Sequence, residues 1–162
     1  MKRLIITLVL GLLILPSISF AQIYSYTSEQ LALRTDLFNF LKEQGYMPEV
    51  SSYFGFIEFK CEGQSYYIEV SDTDENPMFV ALSKAFRLPD EYEYSEETIA
   101  IALNKLNKYK GVKVSCEADN YIIISAELFV RNAEPVKSAF YTLKSIIDLV
   151  ESEFPDECKN VG

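Results

Sequence analysis

Two runs separated by two residues do most to limit what this chain can become. Val112, Val114, Cys116 and Ala118 alternate with Lys113, Ser115 and Glu117. After Asp119-Asn120 the alternation resumes from Tyr121 to Phe129, with Ile122, Ile124, Ala126 and Leu128 at every second position. A period of two places the apolar set on one side of a strand, and so short a link joins the strands antiparallel. A sheet with one apolar face must then be covered on that face alone.

The rest of the chain supplies three more strands and three covers. Tyr53 to Cys61 is rich in aromatic and branched residues, Glu62-Gly63 makes a turn, and Ser65 to Val70 alternates through Tyr66, Ile68 and Val70. After the loop Asp72 to Pro77, Met78 to Ser83 forms a third run. A first helix starts at Thr27 or Ser28, with Thr27 and Gln30 spaced as a capping box, and carries Leu33, Leu37, Phe40 and Leu41 to a Gly45 stop. A second has Ser95 as N-cap, Glu96 and Glu97 in its first turn, and Ile99, Ala102, Leu103 and Leu106 as its stripe. The last begins between Asn132 and Pro135. Its stripe is Val136, Phe140, Leu143, Ile147, Val150 and Phe154, and Pro155 is expected to end it. The predicted fold is α+β: a two-layer sandwich of a five-stranded antiparallel sheet and three helices, in the order α-β-β-β-α-β-β-α.

The start of the chain reads as an address. Lys2 and Arg3 precede an almost wholly apolar run from Leu4 to Leu15, Pro16 breaks it, and Ser19-Phe20-Ala21 offers small residues to a signal peptidase. About 12 apolar residues fall short of the roughly 20 needed to span a bilayer. Residues 1–21 are thus expected to be a cleaved signal and 22–162 a single domain, periplasmic or secreted, without stable membrane insertion after cleavage. Loss of Lys2 and Arg3 would take the net charge from −9 to −11. Such a surface repels phosphate backbones, so no nucleic-acid partner is expected.

Several kinds of chemistry lack their residues. The chain has no His, which removes Ser-His and Cys-His nucleophile pairs and the commonest zinc ligand. Cys61 and Cys116 fall on apolar strand faces and read as buried thiols; a bridge among Cys61, Cys116 and Cys158 is left open. Asp72-x-Asp74-x-Asn76 copies the opening of a calcium loop, but Pro77 stands where Gly is needed and Ser83 where a bidentate Glu is needed, so it reads as a solvated turn. The acidic stretch Asp90 to Glu97 reads as a wet loop and helix start. Lys105, Lys108, Lys110 and Lys113 form a basic cluster, three of them at a helix end where cations suit the exposed carbonyls. Among 24 acids no catalytic pair stands out. No catalytic, cofactor or metal residue is assigned.

Aromatic residues are the remaining resource, with 11 Tyr and 11 Phe. Tyr53, Tyr67 and Tyr121 on an exposed sheet face, with Tyr92 and Tyr94 in the acidic loop, are the candidate partner-binding residues.

The element order resembles the YbjN-like family of bacterial sensory transduction regulators, whose fold is similar to type III secretion chaperones. The likeness covers about residues 28–154. It rests on Phe56-Ile57-Glu58-Phe59 followed by Tyr66-Tyr67-Ile68-Glu69-Val70, on Ala102-Leu103-Asn104-Lys105-Leu106-Asn107 leading into Val112-Lys113-Val114, and on Phe140 onward. It implies polypeptide binding rather than catalysis and, by analogy with the chaperones, pairing into homodimers. Those chaperones are cytoplasmic, whereas this chain carries a signal. The expectation is an exported, non-enzymatic protein- or peptide-binding domain without a cofactor. A periplasmic small-ligand-binding module and a carboxylate-dependent hydrolase are the alternatives.

Overall fold

The computed structural model describes residues 26–52, 55–71, 73, 76–88, 94–117 and 121–161. The expected signal segment, Tyr53, Asp72, Asp74, Tyr92 and the expected Asp119-Asn120 turn lie outside the described residues. Helix α1 spans Ser28–Glu43, α2 Glu96–Leu106 and α3 Glu134–Lys159. The strands are β1 (Glu49–Val50), β2 (Ile57–Cys61), β3 (Gln64–Val70), β4 (Met78–Arg87), β5 (Lys113–Glu117) and β6 (Tyr121–Val130). They form one sheet in the order β1-β2-β3-β4-β6-β5, antiparallel throughout. The α+β class holds, with six strands rather than five. The added strand, β1, is two residues long and too short to show any period.

Local chemistry accounts for the boundaries. Thr27 caps α1 by accepting from the Gln30 amide, and Gln30 Oε1 accepts from the Thr27 amide at 2.7 Å, a complete capping box. The other end of the Gln30 side chain donates to the Thr73 carbonyl at 2.6 Å, which ties the β3–β4 loop to the helix start. At the far end Gly45, at φ 86°, lets the Tyr46 amide reach back to Leu41 and the Gly45 amide to Lys42, a Schellman closure. Glu62 and Gly63 both take positive φ, as a two-residue hairpin between antiparallel strands requires.

Two elements run further than their sequence suggests. Strand β4 continues past Ser83 to Arg87, which brings Lys84 onto the inward face. Helix α3 continues through Pro155 to Lys159. Proline removes one rung from a helix interior. Here buried Phe154 and Cys158 stand on either side, and their packing holds the turn.

All three helices bury their stripes against one face of the sheet. Leu33, Leu37 and Leu41 of α1, Ile99, Ala102 and Leu106 of α2, and Val136, Phe140, Ile147, Val150 and Phe154 of α3 join one core with the inward residues of β2 to β6. Its α1 side is aromatic: Phe59 lies 5.1 Å from Tyr46, 5.5 Å from Tyr66 and 5.7 Å from Phe140, ring centre to ring centre. Of the thiols, Cys158 is buried, Cys61 half-buried and Cys116 exposed; all three are free. Cys116 lies near the end of edge strand β5, where the inward face runs out of cover, so the expected burial fails there.

Candidate functional site

Among the described residues the sheet has one covered face and one bare one. On the bare face, cross-strand partners line up in rows: Glu58, Tyr67, Ser83, Ser125 and Lys113 form one, and Glu69, Ala81 and Glu127 the next. Phe79 pairs with Phe129 in the row beyond, their ring centres 5.6 Å apart and edge to face. Phe129 is 64% exposed and Tyr121, near the other end of β6, 45% exposed. The middle of the face is low, because Ala81, Ser83, Ala85 and Ser125 are small, and no described helix packs on it. Charges ring this floor: Glu58, Glu69, Glu117 and Glu127 against Lys60, Arg87 and Lys113. Burial and the neighbouring Glu58 carboxylate push the Tyr67 phenol above its ordinary value, so it stays a neutral hydrogen-bonding group.

The anticipated tyrosines divide among three situations. Tyr67 and Tyr121 share this bare face. Tyr94, just ahead of α2, is half-buried and packs against the core. Tyr53 and Tyr92 lie outside the described residues. Phe79 and Phe129 were missed because each lies near the end of a strand run, where an aromatic residue reads as core.

A second polar feature lies under the helices. Lys84 sits at an inward position between Leu82 and Phe86 and is 3% exposed. Its ammonium donates to Gln64, to Glu151 and, at 3.3 Å, to Asp148. Asp148 also accepts from the Tyr66 hydroxyl and, at 2.8 Å, from Lys144 one helical turn earlier. Both ammonium groups flank the Tyr66 ring, 5.2 and 5.1 Å from its centre. Two cations and two anions thus meet where β3, β4 and α3 converge. Burial alone would raise the Asp148 carboxyl, but the Lys144 and Tyr66 hydrogen bonds and the lysine charges outweigh it and hold it below the usual range. Burial likewise would lower Lys144, yet its bonds to Asp148 and Tyr66 raise it. Tyr66 is raised by burial and by Asp148. Asp148, Lys144 and Tyr66 are each driven toward the protonation state they already have. A general acid needs the opposite, a carboxyl raised toward neutrality, so this cluster is arranged for cohesion rather than proton transfer.

The edge of the sheet is also managed. Asn107, the C-cap of α2, accepts from the Val114 amide at 2.7 Å and donates to the Val114 carbonyl at 2.9 Å. Its amide group stands in for a neighbouring strand near the start of β5, which blunts that end of the edge against foreign chains. Nothing in the sequence around Asn107 announces this role, which exists only once β5 lies beside α2.

Elsewhere the surface has open grooves. One of about 540 Å³ lies between α1 and the β6–α3 turn, lined by Leu31, Ala32, Met78 and Arg131 among others. Another, of about 500 Å³, lies beside β2 against Tyr46, Met47 and Phe59. Among the described residues no group of three or more potential ligands is placed to hold a metal ion. No described helix is long and apolar enough to cross a membrane.

No family model matches the chain, and no curated protein does. Among solved structures it is similar to the crystal structure of an uncharacterized protein from Methanothermobacter thermautotrophicus. The TM-score is 0.53 at 14% identity, covering 76% of this chain and 96% of that one. At that identity the likeness concerns the fold alone.

Proposed function

We propose that the chain is an exported, non-enzymatic domain that binds a protein or peptide partner on the bare face of its sheet. One observation carries this reading: large aromatic side chains stand exposed on a face that no described helix covers, around a floor of small residues. Exposed apolar groups cost solubility, and exposed aromatic residues on a polar-rimmed surface are typical of an interaction site. Aromatic anchors supply most of the energy at such sites. The YbjN-like resemblance agrees with this reading, since the chaperones of related fold bind polypeptides.

The test is affinity capture from an envelope fraction with residues 22–162, comparing wild type with a Tyr121→Ser/Phe129→Ser variant. Both side chains point away from the core, so the variant should keep its thermal transition. The expected result is a protein retained by the wild type and lost by the variant. Equal retention by both would refute the assignment of the face.

A further inference from the structure

The bare face carries its charges unevenly, and the pattern is its own complement. One cross-strand row runs Glu49, Glu58, Tyr67, Ser83, Ser125 and Lys113 from β1 to β5, with two acids at one end and a lysine at the other. Glu49 and Glu58 are direct partners on adjacent strands, where like charges repel. Ser65 donates to Glu58 at 3.2 Å, but among the described residues no cation meets either carboxylate. At the other end Lys113 is 66% exposed and meets Glu127 at 3.5 Å. An ammonium has three protons, so Lys113 can hold Glu127 and still donate to a further carboxylate.

We propose that a second copy of this chain covers the face, the two sheets stacked about a two-fold axis that runs along the strands between β3 and β4. This names the partner of the surface assigned above and rests on that assignment. Such an axis keeps each row at its own level and reverses the strand order, so β1 faces β5, β2 faces β6 and β3 faces β4 of the second copy. Glu49 then faces Lys113 of the second copy, with Glu58 one strand away. The same contact recurs on the other side of the axis, as an isologous interface requires. Tyr67 faces Ser83 of the second copy, which sets a large side chain over a small one twice. At one end of the face the Phe79 residues of the two copies flank the axis, each beside its own Phe129. Stacked sheets lie about 10 Å apart, a gap that facing Lys and Glu side chains reach across. At about 4.8 Å between strands and about 3.3 Å per residue, the six strands cover roughly 600 Å². Two copies together hide about 1,200 Å², the lower limit of standard interfaces, so the dimer is expected to be reversible. The net charge of −9 on each copy opposes association, and the paired row ends and the aromatic end must outweigh it.

Sedimentation equilibrium on residues 22–162 tests this, with Glu49→Lys/Glu58→Lys, Lys113→Glu and all three substitutions combined. Wild type should reach twice the chain mass at high concentration and dissociate on dilution. Either reversal alone should weaken association by roughly tenfold or more, because like charges then face each other twice across the axis. The combination exchanges the two signs and should recover most of the wild-type association. None of the three positions is buried, so each variant should keep the wild-type thermal transition. A single-chain mass at every concentration would overturn the proposal. So would reversals that leave association unchanged, or a combination that associates no better than either part. The broader reading fails separately, through equal envelope capture by wild type and Tyr121→Ser/Phe129→Ser. A single-chain mass together with capture that still depends on Tyr121 and Phe129 would remove the second copy and keep the face.

Discussion

Removing the acids around Lys84 and then removing Lys84 itself should change stability in opposite directions. Asp148→Asn/Glu151→Gln keeps the shapes of both side chains but leaves a 3% exposed ammonium with only neutral acceptors, chiefly Gln64. Breaking a buried ion pair in this way costs about 3–5 kcal/mol when both partners are fully buried. Here the acids are partly wet, with side-chain exposures of 34% and 24%. Water already solvates some of their charge in the native state, so the expected loss is nearer about 2–3 kcal/mol. With a urea slope of about 1–3 kcal/mol per molar, the midpoint should fall by roughly 1–2 M. Adding Lys84→Met to the double variant removes the stranded charge and leaves an apolar chain of similar length between Leu82 and Phe86. The midpoint should then rise again, since well-packed apolar replacements of buried ion pairs are often neutral or better. Urea unfolding followed by far-ultraviolet dichroism measures all of these. A triple variant less stable than the double would refute the reasoning, because it would mean that Lys84 contributes through packing rather than charge.

The same cluster gives an acid limb. The Asp148 carboxyl is held below its ordinary value by Lys144, Tyr66 and Lys84, so its contribution is present above the unfolded value and lost as pH falls through the folded one. The destabilisation caused by Asp148→Asn at pH 6 should therefore shrink on titrating below about pH 4. An alkaline limb comes from Tyr46, pushed up to about 12 by burial and by its Cys61 partner. Its contribution is intact below pH 10 and lost as pH rises toward 12, so among the late phenols of an ultraviolet titration, Tyr66 and Tyr67 included, Tyr46→Phe should remove one. Asn107→Ala leaves the Val114 amide and carbonyl unpaired and should cost about 1–3 kcal/mol. Asn107→Asp, which has no donor for that carbonyl, should recover only part of it by the same unfolding assay. Gly63→Ala meets no atom within 4 Å, so its cost is conformational alone, about 1 kcal/mol at φ 81°, and Gly63→Asn should cost less.

Most of this fold is legible in periodicity and caps. The alternation through Ile122, Ile124 and Ala126 is the inward face of β6, and Thr27, Gln30, Gly45 and Ser95 sit where the helices begin and end. What escaped depends on tertiary partners. Lys84 has the parity of Val80 and Leu82, but a lysine after an apolar run looks like the end of a strand until α3 brings Asp148 and Glu151 against it. Pro155 looks like a stop until the burial of Phe154 and Cys158 is known. Strand β1 has no signal of its own; the backbone of β2 recruits it. On the candidate surface, Tyr67 and Tyr121 are legible as outward residues. Phe129 has the outward parity of Tyr121, but the extent of its exposure is set by which elements leave that end of the face uncovered.

Photo-crosslinking tests the binding reading most directly. Benzoylphenylalanine placed at position 129 on the bare face, or at Leu149 on the outer side of α3, samples two exposed sites on opposite sides of the molecule. Irradiation of the protein in intact cells should give a discrete heavier adduct from position 129 and none from position 149. Adducts from position 149 alone, or none from position 129, would contradict the assignment of the bare sheet face as the place where a partner sits.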